Sequence, residues 1–366
     1  MSKKLPFVKY SCYGNSFVIL DEIPGKLLSE EELSDFAYQA TDVNFGVGAD
    51  NLLVIQRCTD DSLQAIKSSH RYWQEIPATG SDYIFRMFEP NGDEALCCGN
   101  GLMCIAHHLN HNYSTVSASI MTEVPLICPN NTEVGVQPES TRTWVNLGIP
   151  RRLPDSLVNL SIRPEYMGSI QVVSDLKIKF REHDLKPYTN ETELYINAYL
   201  IFTGEPHMVI FLDMDGLSVP GMSDVVFADS DGNKGAGPIF RQRIRYGTWF
   251  LERVGQYINT HYRELFPIGM NVNFVRTDFE GNVVEYRCYE RGINKETLAC
   301  GTGAMAVAYV SSKILEYEAG EMNVLPHRCR WYRENAKIQV VPDSNGWKLS
   351  GQPHRIMEAD YIFGID

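Results

Sequence analysis

Several things are scarce or missing in this sequence, and each absence closes a class of function. No run of about 18 or more apolar residues occurs, so no membrane-spanning helix is expected. The opening residues carry Lys3 and Lys4 but no long apolar segment, and no signal peptide is read there. Positive charge is in deficit: 33 Lys and Arg against 46 Asp and Glu give a net charge of −13. An acidic surface argues against nucleic acid and against anionic membranes, both of which recruit basic patches. Nine cysteines are present, an odd number, with no Cys-x-x-Cys spacing among them. That excludes a disulfide framework and a zinc knuckle as first readings, and suits free thiols in a reducing compartment. The glycine-rich stretch 46–51, GVGADN, lacks the third glycine and following helix of a dinucleotide loop. No cofactor and no metal are therefore expected. The expected location is the cytoplasm, or an organellar stroma in a eukaryote.

The 366 residues suffice for two domains, and the chain reads as a duplicated unit. Gly14 to Ile19 and Gly204 to Ile210 each place a glycine turn beside an apolar strand-like run. Arg86-Met87-Phe88-Glu89 leads to Cys98-Gly99-Asn100-Gly101, and Arg287-Cys288-Tyr289-Glu290 leads to Cys300-Gly301-Thr302-Gly303. From arginine to cysteine the intervals are 12 residues (98 − 86) and 13 residues (300 − 287). A helical apolar stripe follows each cysteine: Leu102, Ile105, Ala106 and Leu109, then Met305, Val307, Ala308, Val310 and Ile314. Strand-like runs dominate elsewhere, and Ser29 with Glu32 forms a capping-box pattern. The result is a mixed α/β protein with two related lobes. Residues 57–82 show no clear periodicity and 216–250 carry a glycine-rich loop; both read as insertions. The basic stretch 327–336 reads as a solvated loop.

A thiolate is the reactive form of cysteine. A helix N-terminus stabilises it, and a following glycine lets backbone N–H groups approach a carboxylate. One such cysteine is a candidate nucleophile. Two of them suggest proton removal from one face of a carbon and delivery to the other, which inverts the centre. Without a pyridoxal cofactor, helix N-termini and dry surroundings must stabilise the carbanion. The remaining cysteines, Cys12, Cys58, Cys97, Cys104, Cys128, Cys288 and Cys329, read as small packing residues.

The segments GNSFVILDE (14–22), GVGADNLLVI (46–55), GEPHMVI (204–210), FPIGMNVNFV (266–275) and ERGINKETLACGTGA (290–304) resemble the diaminopimelate epimerase family, in its order and over nearly the whole chain. The resemblance implies an α/β (α+β) fold of two pseudo-symmetric lobes, each a curved, mostly antiparallel sheet wrapped around a central helix, with the active site in the cleft between them. The lobes would be 1–146 with 356–366, carrying Cys98, and 147–355, carrying Cys300. It implies Cys98 and Cys300 as the acid–base pair. His207 and Glu290 would set thiol protonation and hold the α-amino group. Gly99, Asn100, Gly101, Gly301, Thr302 and Gly303 would bind the α-carboxylate, and Asn15, Asn51, Asn271 and Arg291 would line the pocket. The partner implied is a small-molecule amino acid, with a homodimer as candidate assembly.

The sequence departs from the family pattern at Ser16, at Asn51 in place of Gln, at Met103 in place of Arg, and in a loop before Cys300 that is one residue longer. Glu89 and Glu205 stand where the family has Asn contacts to the substrate's distal end. The default substrate is LL- and meso-diaminopimelate, in lysine and peptidoglycan precursor synthesis. The alternatives are racemisation of another amino acid with a cationic or imidazole side chain, a catalytically silent amino-acid-binding homologue, and a thiol redox sensor.

Overall fold

The computed structural model describes residues 2–78, 80–137, 142–159, 165–186, 189–214, 221–228, 238–277, 280–315 and 320–364. The chain runs through β1 (Lys3–Cys12), β2 (Asn15–Asp21), α1 (Glu30–Thr41), β3 (Asn51–Arg57), α2 (Asp60–His70), β4 (Tyr83–Phe88), β5 (Glu94–Ala95), α3 (Gly99–Tyr113), β6 (Ser117–Thr122), β7 (Asn130–Val136) and β8 (Thr143–Asn146). It continues through β9 (Glu165–Met167), β10 (Ile170–Lys179), β11 (Glu193–Phe202), β12 (Pro206–Phe211), α4 (Met222–Val226), α5 (Pro238–His261), β13 (Asn271–Arg276), β14 (Val283–Glu290), β15 (Lys295–Glu296) and α6 (Gly301–Ile314). β16 (Met322–Pro326), α7 (His327–Arg330), β17 (Ile338–Asp343), β18 (Gly346–Gly351) and β19 (His354–Phe363) complete it.

Two compact units result, 1–148 with 348–366, and 149–347. The chain returns to the first unit at Lys348, earlier than the 356 read from sequence, because residues 348–351 of β18 pair with β8. In the first unit the strand order is β19-β1-β2-β3-β4-β6-β7-β8-β18, with β5 folded back on β4. In the second it is β9-β10-β11-β12-β13-β14-β16-β17, with β15 folded back on β14. Among the described residues, only β2–β3 and β4–β6 are parallel in the first, and β12–β13 and β14–β16 in the second. Parallel neighbours need a crossover; α3 lies between β4 and β6, and α6 at the matching place between β14 and β16.

Those two helices form the centres of the units. Every residue from Gly301 to Ser311 is buried, and ten of the fifteen residues of α3 are. A helix apolar on most sides has to be enclosed, so each sheet curls around one. Strand register makes the duplication exact at the residue level. Asn51 is opposite Phe17 across the β2–β3 pair, and Asn271 is opposite His207 across β12–β13. Asn51 thus corresponds to Asn271, and Phe17 to His207.

The arginine landmarks are buried ion pairs. On β4, Arg86 reaches Glu94 of β5 through Nε at 2.8 Å and Nη2 at 2.6 Å, and also contacts Glu30. On β14, Arg287 reaches Glu296 of β15 through Nε at 2.6 Å and Nη2 at 2.7 Å. Both guanidinium groups are fully buried. Each pair fastens a two-residue strand that lies four residues before a helix-start cysteine.

Three sequence expectations about loops differ from the structure. Residues 57–82 contain α2, with Thr59 as its side-chain cap. Only Leu63 and Ile66 of this helix are buried, too few to show a period; they pack with Trp73, Ile84, Met121 and Val124. The stretch 216–250 contains α4 and part of α5, while its glycine-rich loop lies outside the described residues. The stretch 327–336 begins with α7, whose His327 is buried with Nδ1 3.1 Å from Glu285. The capping box at Ser29 and Glu32 is present as expected.

Replacing Glu296 by Gln leaves Arg287 a buried cation without its carboxylate, and should destabilise the protein by about 3–5 kcal/mol. Glu94→Gln should cost less, since Arg86 keeps Glu30. Denaturant midpoints measure both, and equal shifts would rule out Glu30 as the second anchor.

Candidate active site

Each cysteine caps a helix in the same manner. Cys98 and Cys300 are the N-cap residues of α3 and α6, both with extended backbone (φ −142°, ψ 116° and φ −123°, ψ 119°). Each Sγ accepts from the backbone N–H three residues on, Gly101 and Gly303, at 3.4 Å. A helix-start sulfur held by an N–H and by the helix dipole is placed to carry negative charge. Gly303 must be glycine for a local reason. A Cβ there would lie 2.6 Å from Asn273 Oδ1 and 3.1 Å from the Cys300 Cβ.

In the second unit a polar chain leads to the sulfur. His207 is fully buried on β12, a strand whose six residues are all buried. Asn273 on β13 donates to His207 Nδ1 at 3.0 Å, so Nε2 carries the ring proton. His207 Nε2 lies 2.9 Å from Thr302 Oγ1, which lies 3.4 Å from Cys300 Sγ. Burial, with Arg291 a further cause, lowers the His207 pKa to about 3, so the ring is neutral. The Cys300 thiol is held below its ordinary value. Its largest cause is the hydrogen bond from Cys288, and Thr302 and the Gly303 N–H add to it against the cost of burial. Burial pushes Cys288 well up, so that thiol keeps its proton and donates it. Tyr286 fixes the capping residue itself: its OH donates to Cys300 O at 2.8 Å and accepts from Cys300 N at 2.9 Å.

The other expected residues of this unit gather nearby. One Glu290 carboxylate oxygen lies within 4.8 Å of both the Cys288 and Cys300 sulfurs, and Glu290 also accepts from Thr297 Oγ1. Glu205 pairs with Arg291, accepting from Nε at 3.2 Å and from Nη2. Asn271 Oδ1 accepts from Arg291 N at 2.9 Å. Thus the second unit brings together His207, Glu205, Asn271, Arg291, Glu290, Gly301, Thr302, Gly303 and Cys300. In the first unit Asn100 Nδ2 donates to Asn15 Oδ1 at 2.7 Å, and both are buried, as is Asn51. Gly99 and Gly101 are buried in the first turn behind Cys98. Glu89 is half-buried beyond the end of β4, its N–H donating to Asp93 O at 2.9 Å.

Sequence reasoning missed Asn273, Tyr286 and Cys288. Cys288 is assigned to packing there, yet it adjoins the Cys300 sulfur. Period-2 alternation puts Tyr286, Cys288 and Glu290 on one strand face, and Asn271 and Asn273 on another.

The buried, neutral His207 has a pH consequence. Its pKa is depressed on folding from about 6.5 to about 3, so between those values the unfolded chain binds one proton that the folded chain does not. Stability is therefore lost as pH falls from about 6.5 toward 3, by up to about 1.4 kcal/mol per pH unit from this group. His207→Gln should flatten the acid limb of a denaturation-versus-pH curve by that slope. An unaltered limb would mean that His207 is protonated in the folded protein.

Comparison with known proteins bears on both units. The diaminopimelate epimerase family model matches residues 7–125. The diaminopimelate epimerase of Archaeoglobus fulgidus is 28% identical over 313 residues, covering 85% of this chain and 82% of the relative. That of Methanocaldococcus jannaschii is 25% identical over 368 residues, covering 98% and 99%. The crystal structure of a hydroxyproline epimerase from Agrobacterium vitis has the same fold, with TM-score 0.55 at 9% identity, covering 98% of this chain and 93% of that one. The chain is similar to the diaminopimelate epimerases over most of its length, and it is an isomerase of the epimerase type.

Proposed function

We propose that the protein is a pyridoxal-phosphate-independent amino-acid racemase or epimerase that inverts Cα with the two thiols of Cys98 and Cys300. The observation that carries this reading is the pair of cysteines capping matched helices, each sulfur held by a first-turn N–H at 3.4 Å. The helix starts at Gly99, Asn100 and Gly101 and at Gly301, Thr302 and Gly303 receive the α-carboxylate, because the dipole end of a helix favours an anion. That interaction strengthens as the carbanion delocalises into the carboxylate. Cys300 is the thiolate and takes the α-proton in one direction; Cys98 returns a proton to the opposite face. The reverse direction exchanges the roles. Neutral His207 keeps Thr302 oriented toward Cys300 without adding a charge, and Glu290 holds the α-ammonium group.

The first substrate candidate is diaminopimelate, by likeness to the relatives. A second reading, an amino acid whose side chain is cationic or imidazole, is favoured by one feature: Glu205 is ion-paired with Arg291. A guanidinium already matched by a carboxylate has less to offer a distal substrate carboxylate. An unmatched like-charge approach at about 4 Å costs on the order of 4 kcal/mol near a protein surface. A cationic end avoids that cost.

Cys98→Ala and Cys300→Ala should each lower racemisation by about 10²–10⁴-fold or more while leaving the far-ultraviolet circular dichroism intact. Exchange of the α-proton in D2O, followed by NMR over a panel of amino acids, measures it. Full activity in either variant removes the two-thiol mechanism. The same panel fixes the substrate, by comparing kcat/KM for LL-diaminopimelate with those for lysine, ornithine, arginine and histidine. Glu89→Asn with Glu205→Asn should move preference toward diaminopimelate. A wild-type preference for diaminopimelate, unmoved in the double variant, rejects the cationic reading.

A further inference from the structure

The second unit carries a cluster whose ligand chemistry goes beyond proton transfer. Cys288 Sγ, Cys300 Sγ and a Glu290 carboxylate oxygen all lie within 4.8 Å of one another. Both cysteines are buried and free of disulfides. We propose that these three residues form an inhibitory binding site for a thiophilic divalent cation of the zinc type.

The argument is geometric first. Zinc binds thiolates at about 2.3 Å and carboxylate oxygens at about 2.0–2.2 Å, in tetrahedral arrangement. Those lengths place two sulfurs about 3.8 Å apart and a sulfur and an oxygen about 3.5 Å apart. The ligand atoms here have to close by no more than about 1 Å. Two soft sulfurs and one carboxylate leave a fourth position for water, and such a set selects zinc over magnesium or calcium.

The ligands are also preorganised. Cys288 and Glu290 are two apart on β14 and so share a face of the sheet. Tyr286, two residues earlier on that face, holds both backbone groups of Cys300 through its hydroxyl. The third ligand is thereby tied to the strand that supplies the other two. The duplicated position in the first unit tests whether this is a by-product of the fold. Strand register sets Cys288 opposite Asn273 and Met87 opposite Leu53, so Met87 corresponds to Cys288. The first unit has a thioether there, which cannot become a thiolate. Among the described residues no second such cluster occurs.

Charge supports the assignment. Cys300 is already biased toward thiolate, while Cys288 has to lose a proton that burial makes it keep. Metal binding therefore releases protons and tightens as pH rises. Occupancy blocks the proton-transfer sulfur, so the metal acts as an inhibitor and its removal leaves the enzyme active. The inhibitory part of the proposal rests on the reading of Cys300 as a proton carrier; the binding part does not.

Cobalt(II) titration of the full-length, fully reduced protein tests binding directly, through the near-ultraviolet thiolate-to-cobalt charge-transfer band. One equivalent per chain should give the band, zinc should displace it, and it should persist in Cys98→Ala. Cys288→Val should abolish it, with Cys288→Ser as the near-isosteric check should Val disturb folding. In the D2O exchange assay, zinc should inhibit, and Cys288→Ser should raise the zinc inhibition constant by at least about 100-fold, since losing even a partner of a ligand costs about 10–100-fold. No band in the reduced wild type, or a band kept by both Cys288 variants or lost in Cys98→Ala, overturns the site. A band with the expected pattern in a protein that exchanges no amino-acid proton keeps the site and rejects the catalytic reading instead.

Discussion

The buried arginine–glutamate pair behind each helix-capping cysteine is the constraint on which the rest depends. A two-residue strand has almost no ladder of its own, and β5 and β15 would not hold a loop in place through backbone bonds alone. Arg86 and Arg287 supply the missing rigidity by gripping Glu94 and Glu296 through two nitrogens each. Paired donors fix direction as well as distance. Four residues later the chain must arrive extended, turn into a helix and present a sulfur at the cap. Both units accomplish this with matching φ and ψ. Ion pairs this deep add little net stability, because desolvation offsets most of the attraction, but they make any other arrangement of the loop costly.

On that shared backbone the units have diverged in polarity. Register aligns Phe17 with His207, Leu53 with Asn273, Phe85 with Tyr286 and Met87 with Cys288. In each pair the first unit has an apolar side chain and the second a hydrogen-bonding one. The effect is local: of these four positions Cys288 donates to the Cys300 sulfur, whereas its counterpart Met87 carries no donor. Two thiols set by the same helix geometry can thus be tuned separately by their strands. General acid–base chemistry in two directions asks for that, since one group must start without its proton and the other with it.

The duplicated landmarks, the two helix caps and the first-helix capping box were legible in the sequence, because glycine turns, N-caps and apolar helical stripes are local signals. The residues from Glu205 to Gly303 that lie together in the second unit were also named from sequence, though not what joins them. Harder to read was what depends on pairing between distant strands. Asn273 matters because it sits beside His207 across the parallel β12–β13 ladder, and no local pattern encodes that neighbour. Cys288 looked like a packing residue because one buried sulfur resembles another until its contacts are known. The helix α2 was missed since only Leu63 and Ile66 of its residues are buried, leaving the rest free to be polar.

The group around Arg291 is coupled electrostatically to the helix cap at Cys300. Asn271 accepts the Arg291 backbone N–H, and Glu205 accepts its guanidinium. The three residues come from the starts of β12 and β13 and the end of β14, which converge on one corner of the sheet. With Glu205 present, the Glu205–Arg291 pair sums to no net charge, where an amide at 205 would leave a cation. A single substitution at 205 thus alters the field felt by the His207–Thr302–Cys300 chain, since Glu205 raises the Cys300 pKa and Arg291 lowers that of His207. Two charges, one reaching His207 and the other Cys300, thus tie the electrostatics of the helix cap to the residue at 205.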